Sequence, residues 1–398
     1  MSMREPLKEY ILESFRRKYH RARKREKGVI LKEVCEALNC HRKHAVRLMK
    51  KQRSGRKQPA GKRGRKSKYD TPEFQKALHR VRKVMEFRNA EVMKENMPEW
   101  LPFVEKHYGI FPEEIKVKLL TISASTMKRY FQRMRQQAGT GLSTTRPGST
   151  LRTEIPIRTD SFCNETTPGY MALDTVAHCG GSTAGEFIYS LDSVCPVTHW
   201  TAQRALWGKG GAGALEQTQD IERSLPFVLI GLHVNNGSEF LNHHYKRAYI
   251  EAPRARFCFT RSRAYRKNDN CHVEQKNWSV VRRYFGYDRF DVQELVPLMN
   301  DLYKNELNLY LNHFCRTFKL SHKIAIKSRY RRIYANPQTP YERVLNSTSV
   351  PDDVKAQLIL THSLLDPVTL KLEIERKLKI IFAVYNKITK ARYSASAA

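Results

Sequence analysis

Two hydrophobic periodicities alternate along the chain. Up to residue 137, apolar positions recur every three or four residues, as at Leu31, Val34 and Leu38, and this spacing predicts amphipathic helices. Between residues 170 and 260, short apolar runs bounded by turn residues predict strands. The helical spacing returns after residue 292. The pattern therefore predicts a multidomain chain with helical N-terminal modules, an α/β core with a mixed sheet, and a basic, mostly helical C-terminal region.

Two N-terminal segments have the pattern of helix-turn-helix DNA-binding modules. In residues 1–52, a helix from Ile30 to Leu38 precedes a short turn and a basic helix from His41 to Lys50. Residues 70–137 form a second helical module whose last helix is also basic. The alternative is an ordinary helical hairpin with a solvated charged face. The side chains expected to contact DNA are Arg42, Lys43, Arg47, Lys128, Arg129 and Arg133.

Two segments have the composition of linkers. Residues 53–69 are basic and contain Pro59, Gly61 and Gly64, and residues 138–167 are rich in Gly, Ser, Thr and Pro. The first linker resembles the short basic arms that lie in narrow minor grooves. We therefore expect four of its side chains to contact DNA: Lys62, Arg63, Arg65 and Lys66.

The cysteines favour free thiols over a metal site. Eight cysteines are scattered without a Cys-x-x-Cys pair, which indicates free thiols in a reducing cytosol. Cys35, Cys40, His41 and His44 lie close together, but their order and spacing do not match a zinc domain. We expect no zinc there.

The charge indicates a polyanionic partner. The chain has 72 lysines and arginines against 39 acidic residues, a formal net charge of +33. Such an excess favours double-stranded DNA, because every phosphate neutralised releases a condensed counterion. Apolar runs stay below the roughly 18 residues that a membrane-spanning helix needs, so a membrane partner is not expected.

Three polar positions stand out in the predicted core. Asp174 lies in an apolar run, Asn235 directly follows the run Phe227 to Leu232, and Glu274 opens a predicted helix. The runs predicted as strands are Tyr170 to Val176, Glu186 to Val194, His199 to Leu206, Phe227 to Leu232 and Arg256 to Thr260.

These motifs, Leu-Asp174-Thr-Val, Asn235-Asn-Gly-Ser-Glu-Phe and His-Val-Glu274-Gln, resemble the DDE transposases and retroviral-type integrases, over roughly residues 170–341. The resemblance implies an RNase H-like catalytic core at residues 168–318, with three acidic positions that hold two Mg²⁺ ions, for which Mn²⁺ can substitute. It implies that Asp174 bridges both ions, while positions 235 and 274 each hold one. Asn235 stands where the family has an aspartate.

Asp192 is the competing first carboxylate by local pattern. It ranks below Asp174 because the first acid of the family precedes a glycine-bearing hairpin, which Cys179 to Thr183 matches here. The core side chains expected to contact the DNA backbone are Arg261, Arg263, Tyr265, Lys267, Lys276 and Arg282.

The C-terminal region, residues 319–398, contains a very basic stretch and two predicted helices, Asp352 to Leu364 and Val368 to Ile388. We expect these helices to serve assembly of a homodimer or higher oligomer.

The resulting hypothesis is a transposase that binds the terminal inverted repeats of a mobile element, cleaves the 3′ ends and joins them to target DNA. Asn235 is expected to impair catalysis, because an amide lacks the charge that holds a divalent ion. A trapping substitution and a naturally inactivated copy both explain it. The rival hypotheses are an RNase H-type nuclease and a non-catalytic DNA-binding regulator derived from a transposase.

Overall fold

The computed structural model describes residues 5–50, 68–86, 89–133, 167–252, 257–263, 273, 276–326 and 329–396. The chain forms two compact units, Met1–Lys68 and Tyr69–Ala398.

The first unit is helical in its described part. Its helices are α1 (Glu5–Arg21), α2 (Lys24–Leu38) and α3 (Arg42–Lys50). Leu12, Leu31, Val34, Ala45 and Met49 form its core. The two helices predicted here are present, and α1 is an addition that the sequence analysis did not predict. The assignment of this unit to a DNA-binding helix-turn-helix stays a prediction.

The second unit begins with a helical part that packs on the α/β core. Its helices are α4 (Pro72–Val84), α5 (Ala90–Tyr108), α6 (Glu113–Thr121) and α7 (Ala124–Arg133). Asn89 caps α5 by accepting a hydrogen bond from the backbone N–H of Val92 at 2.9 Å. Trp100 of α5 is fully buried and makes edge-on ring contacts with Tyr310 and Phe314. Helices α4 to α7 therefore share one hydrophobic core with the helix that contains Tyr310 and Phe314.

A five-stranded mixed sheet forms the centre of the second unit. Its strands are β1 (Tyr170–Ala177), β2 (Ile188–Val194), β3 (Thr201–Trp207), β4 (Gly231–Val234) and β5 (Cys258–Arg261). The spatial order is β3-β2-β1-β4-β5. The first three strands are antiparallel neighbours, and β4 and β5 run parallel to β1. This arrangement confirms the expected mixed sheet and is consistent with an RNase H-like core.

Strand β4 begins later than predicted. The apolar run predicted a strand from Phe227 to Leu232, but pairing starts at Gly231, opposite Tyr170. Val228 remains 78% exposed, so the first half of the run packs against no second strand. A side chain at position 231 would collide with the Tyr170 ring and the carbonyl of Cys258, which is why glycine occupies this close approach.

Helices cover the sheet and its free edge. They are α8 (Gly211–Arg223), α9 (His243–Tyr245, continued by the π-helical Lys246–Glu251), α10 (the π-helical Asn277–Arg282, continued by Arg283–Phe285) and α11 (Leu295–Leu302, π-helical Tyr303–Leu307, Asn308–Phe314). Asn312 of α11 bonds the backbone N–H and C=O of Thr201 at 2.9 and 2.8 Å. Asn300 does the same for Ala205 at 2.7 and 2.9 Å. These amides satisfy the unpaired backbone of edge strand β3.

The C-terminal region combines a two-stranded ribbon with helices. Strands β6 (Leu320–Ile326) and β7 (Arg329–Tyr334) pair antiparallel, and the helices are α12 (Pro340–Leu345), α13 (Asp352–Leu364) and α14 (Pro367–Ser396). The two predicted helices are present, the second longer than expected. The sequence analysis did not predict the ribbon.

None of the helices in the described part of the chain combines the length and apolarity needed to cross a membrane.

Candidate functional site

Two predicted site residues meet where the pairing of strands β1 and β4 ends. Strands β1 and β4 pair in parallel up to Leu173 and Val234, so the next residues, Asp174 and Asn235, emerge side by side. The Asn235 side-chain amide donates a hydrogen bond from Nδ2 to Asp174 Oδ1 at 2.6 Å. Both side chains are half-buried. The fold therefore joins two positions 61 residues apart in sequence.

Helix α10 provides a second amide to the same carboxylate. Asn277 Nδ2 donates to Asp174 Oδ2 at 2.7 Å, and the backbone N–H of Thr175 donates to Oδ1 at 2.9 Å. Just before α10, the buried Val273 packs on Ala172 and Val194 and so fixes the chain over β1 and β2. Both oxygens of Asp174 thus accept hydrogen bonds from neutral donors.

The loop that carries Asn235 is held by its own hydrogen bonds. Asn235 Oδ1 accepts from the backbone N–H of Gly237 at 2.7 Å, and Asn236 Nδ2 donates to the carbonyl of Ser262 at 2.9 Å. A Cβ at position 237 would collide with the carboxylate of Glu239. Glycine at 237 therefore lets the loop close over that carboxylate.

The buried carboxylate of Glu239 stabilises the surroundings of Asp174 and Asn235. It is 1% exposed, accepts a hydrogen bond from Thr175 Oγ1 at 2.8 Å and forms an ion pair with Lys209 at 3.2 Å. Because Thr175 is the neighbour of Asp174, this buried carboxylate connects β1 to the loop that carries Asn235.

A second carboxylate lies beside Asp174 on the next strand. Asp192 is the Cα partner of Asp174 and is fully buried. Its Oδ1 accepts hydrogen bonds from Gln203 Nε2 at 2.7 Å and Thr201 Oγ1 at 3.4 Å, while its Oδ2 accepts none from the residues that the structure describes. Burial raises the pKa of Asp192 to about 7, although Gln203 and the positive charge of Lys276 oppose the shift.

Several predicted site residues lie outside the described residues. These are Glu274, Tyr265 and Lys267 of the core and Lys62, Arg63, Arg65 and Lys66 of the first linker, and the side chain of Arg133 is likewise not described. The third acidic position therefore stays a prediction.

The predicted DNA contacts that are described fall into two groups. Arg42, Lys43 and Arg47 are exposed on α3. The side chains of the other group have internal partners: Lys128 forms an ion pair with Glu91, Arg129 bonds Thr126, Arg261 bonds Asn236 and Arg282 bonds the carbonyls of Ala177 and Gly286. Arg263 and Lys276 are half-buried. DNA contact stays a prediction for all of these residues.

The sequence analysis did not include Asn277 among the predicted site residues. The structure shows Asn277 as a direct donor to Asp174. Its position three residues after Glu274 was the available signal, because helical residues three apart are neighbours.

Magnesium prefers charged oxygen ligands. Among the described residues that contact one another at this site, the carboxylate of Asp174 is accompanied by two side-chain amides, those of Asn235 and Asn277, while Glu274 lies outside the described residues. Within the described ranges, no group of three or more histidine, cysteine, aspartate or glutamate side chains is placed to hold a metal ion.

Comparison with known proteins gives one close relative. The chain is 33% identical over 350 residues to the uncharacterized protein y4rM of Sinorhizobium fredii (strain NBRC 101917 / NGR234), covering 86% of this chain and 95% of the relative. Among solved structures, the catalytic core domain of BIV integrase matches 45% of this chain and 95% of its own, with 18% identity and a TM-score of 0.28. No family model matches the chain.

Proposed function

The chain belongs to the same family as the y4rM protein of Sinorhizobium fredii, and we propose that it acts on DNA as a transposase-type protein. The observation that carries the proposal is the contact of Asp174, within β1, with Asn235, directly after the adjacent parallel strand β4. The resemblance to DDE transposases places the first two acidic ligands at these positions. The net charge of +33 supports a polyanionic substrate.

In the full form of the proposal, the protein binds the terminal inverted repeats of a mobile element, cleaves their 3′ ends and joins them to target DNA. It works as a homodimer or higher oligomer, because the two ends of the element must meet. A three-carboxylate centre of this kind uses Mg²⁺ or Mn²⁺ to activate the attacking oxygen and stabilise the leaving one. In this chain, Asn235 impairs that centre.

The hydrogen bond between Asn235 and Asp174 gives the physical reason for the impairment. An asparagine side chain can donate to Asp174 directly, so the pair is stable without a cation. Two carboxylates at the same separation would repel each other and would need a cation between them. The substitution therefore replaces a site that requires a metal by one that does not.

The same observation favours a second candidate function, a non-catalytic DNA-binding regulator derived from a transposase. Such a protein keeps its DNA-binding segments and its fold. The fold needs only a hydrogen-bond donor for the Asp174 carboxylate, and the Asn235 amide is such a donor. A nuclease of RNase H type, which hydrolyses DNA without joining it, is the third candidate.

One experiment separates these candidates. The chain as written and the Asn235→Asp variant are each incubated with labelled duplexes from both sides of the element, a target plasmid and Mg²⁺ or Mn²⁺. Binding, cleavage and joining are measured separately. The double variant Asn235→Asp/Asp174→Asn is the control, because it restores one carboxylate while removing the other.

Joining by the Asn235→Asp variant alone supports the transposase with an impaired centre. Cleavage by that variant without joining supports the nuclease, and tight binding by both proteins without any cleavage supports the regulator. Joining by the chain as written at the rate of the variant contradicts the proposed impairment. Absence of DNA binding by either protein contradicts the proposal as a whole.

A further inference from the structure

The ribbon formed by β6 and β7 is an exposed, strongly basic element. No acidic residue occurs between Leu320 and Tyr334, and this interval contains Lys323, Lys327, Arg329, Arg331 and Arg332. Every side chain of the ribbon that the structure describes is exposed, except the half-buried Ile333. The ribbon thus presents positive charge without internal neutralisation by acidic neighbours in sequence.

Both faces of the ribbon carry cations. Lys323 is the Cα partner of Arg332, so these side chains lie together on one face. Arg331 pairs with Ile324 one position along and therefore lies on the opposite face. A strand that packed on the core would bury one face, but here neither face is buried.

Apolar and aromatic side chains are exposed between these cations. Tyr330 is 72% exposed, Tyr334 50% and Ile324 45%. A two-stranded ribbon is at best marginally stable by itself, so an isolated ribbon with large exposed side chains gains stability from a partner. The charge complement of this partner is a polyanion.

The base of the ribbon is fixed firmly to the core. The backbones of Thr317 and Gln338 bond each other at 2.8 and 3.3 Å. Arg343 of α12 donates to Thr317 Oγ1 at 2.7 Å and to its carbonyl at 2.5 Å. An anchored base suits an arm that binds an external ligand with the exposed side chains of its strands, because little chain entropy remains to be lost on binding.

We propose that the β6–β7 ribbon binds the sugar–phosphate backbone of duplex DNA without reading its sequence. The B-DNA major groove admits a two-stranded ribbon, and cations on both faces can then reach phosphates on both walls. The ribbon contains no Asn, Gln, Asp or Glu, the side chains that read adenine or cytosine edges. This inference rests on the proposed action on DNA. It assigns to the ribbon the binding of duplex DNA of any sequence, which includes target DNA.

The test uses the full chain with two matched double variants. Lys323→Ala/Arg332→Ala removes a pair of cations from one face of the ribbon, and Lys379→Ala/Lys387→Ala removes two exposed cations from α14. Affinity for two duplexes, an element end and an unrelated sequence, is measured by fluorescence anisotropy between ~50 and ~300 mM salt. Circular dichroism verifies that each variant is folded.

We expect the logarithm of the DNA association constant to depend less steeply on the logarithm of the salt concentration in the ribbon variant. The magnitude of the slope should be smaller by about 1.8, or about 0.9 per lost phosphate contact. Affinity should fall about tenfold or more at ~100 mM salt, by the same factor for both duplexes. The α14 variant should keep the slope and affinity of the parent, and Lys323→Arg/Arg332→Lys should retain binding.

An unchanged slope in the ribbon variant overturns the proposal, as does an equal loss in the α14 variant. A loss confined to the element end overturns the sequence independence. Aggregation of the ribbon variant with unaltered DNA affinity shows that the cations only prevent edge-to-edge pairing of strands. If the parent binds no DNA, the proposed function fails; if it binds and the ribbon variant binds equally, the ribbon assignment alone fails.

Discussion

Asp174 and Asp192 face each other across β1 and β2, yet their surroundings differ completely. Asp174 is half-buried and accepts hydrogen bonds from the two side-chain amides of Asn235 and Asn277. Asp192 is fully buried, and one of its oxygens accepts no hydrogen bond from the residues that the structure describes. The comparison shows that residue type alone does not determine the role of a carboxylate. Its role depends on its access to solvent and on the groups that donate hydrogen bonds to it.

The difference has a chemical consequence. The half-buried carboxylate of Asp174 can be reached by a substrate phosphate or a cation. A carboxylate sealed inside the sheet cannot be reached, and burial raises its pKa to about 7 because the charged form loses its hydration. We therefore expect catalysis to depend on Asp174 and stability to depend on Asp192.

The largest effect is expected on strand joining in the Asn235→Asp background. Adding Asp174→Asn should lower the rate at least about a hundredfold, because it removes about 2.7 kcal/mol or more of transition-state stabilisation. Adding Asp192→Asn should change the rate less than about threefold. Single-turnover joining rates measure both. If the Asp192 substitution is as damaging as the Asp174 substitution, the roles assigned to these two residues are wrong.

A smaller effect is expected on metal-dependent stability. Asn235→Asp places a second carboxylate against Asp174, so without metal the variant should be about 1–2 kcal/mol less stable than the parent. Saturating Mg²⁺ should restore that loss, since a ligand at ~100 times its Kd adds about 2.7 kcal/mol. Thermal unfolding in EDTA and in Mg²⁺ measures the response.

The parent chain is the control for this measurement, because its Asn235 is expected to leave Mg²⁺ without a strong site. Asn235→Ala is a second control that removes the amide without adding charge. An equal rise of the melting temperature in all three proteins on addition of Mg²⁺ would show that the ion acts elsewhere.

The smallest expected effect is a pH dependence of stability due to Asp192. Its pKa is raised by folding, so the folded state holds the proton more tightly than the unfolded state. This contribution is fully present below the unfolded pKa near 4 and is lost as the pH rises through the folded pKa of about 7. Between pH 5 and 8, the chain should therefore lose stability relative to Asp192→Asn. Urea unfolding of both proteins at these pH values gives the comparison, and a constant difference between them would contradict it.

Much of the fold was predictable because its elements carry local signals. The strands at Tyr170–Ala177 and Ile188–Val194 are short apolar runs between turn residues, and the helix Asp352–Leu364 follows a proline and begins with two acidic residues. The β6–β7 ribbon was not predicted from the sequence, because its exposed residues show neither the apolar alternation of a half-buried strand nor the apolar stripe of an amphipathic helix.

From the sequence, Asp174 could be placed within one predicted strand and Asn235 directly after another, and the parallel pairing of these strands brings the two positions together. The groups that complete the surroundings could be identified only from the folded structure. Asn277 and Asp192 reach Asp174 from a helix and a strand that are distant in sequence, and their contacts depend on packing and register. A carboxylate's accessibility, its donors and its pKa are properties of that packing, because each depends on atoms that chain order does not place together.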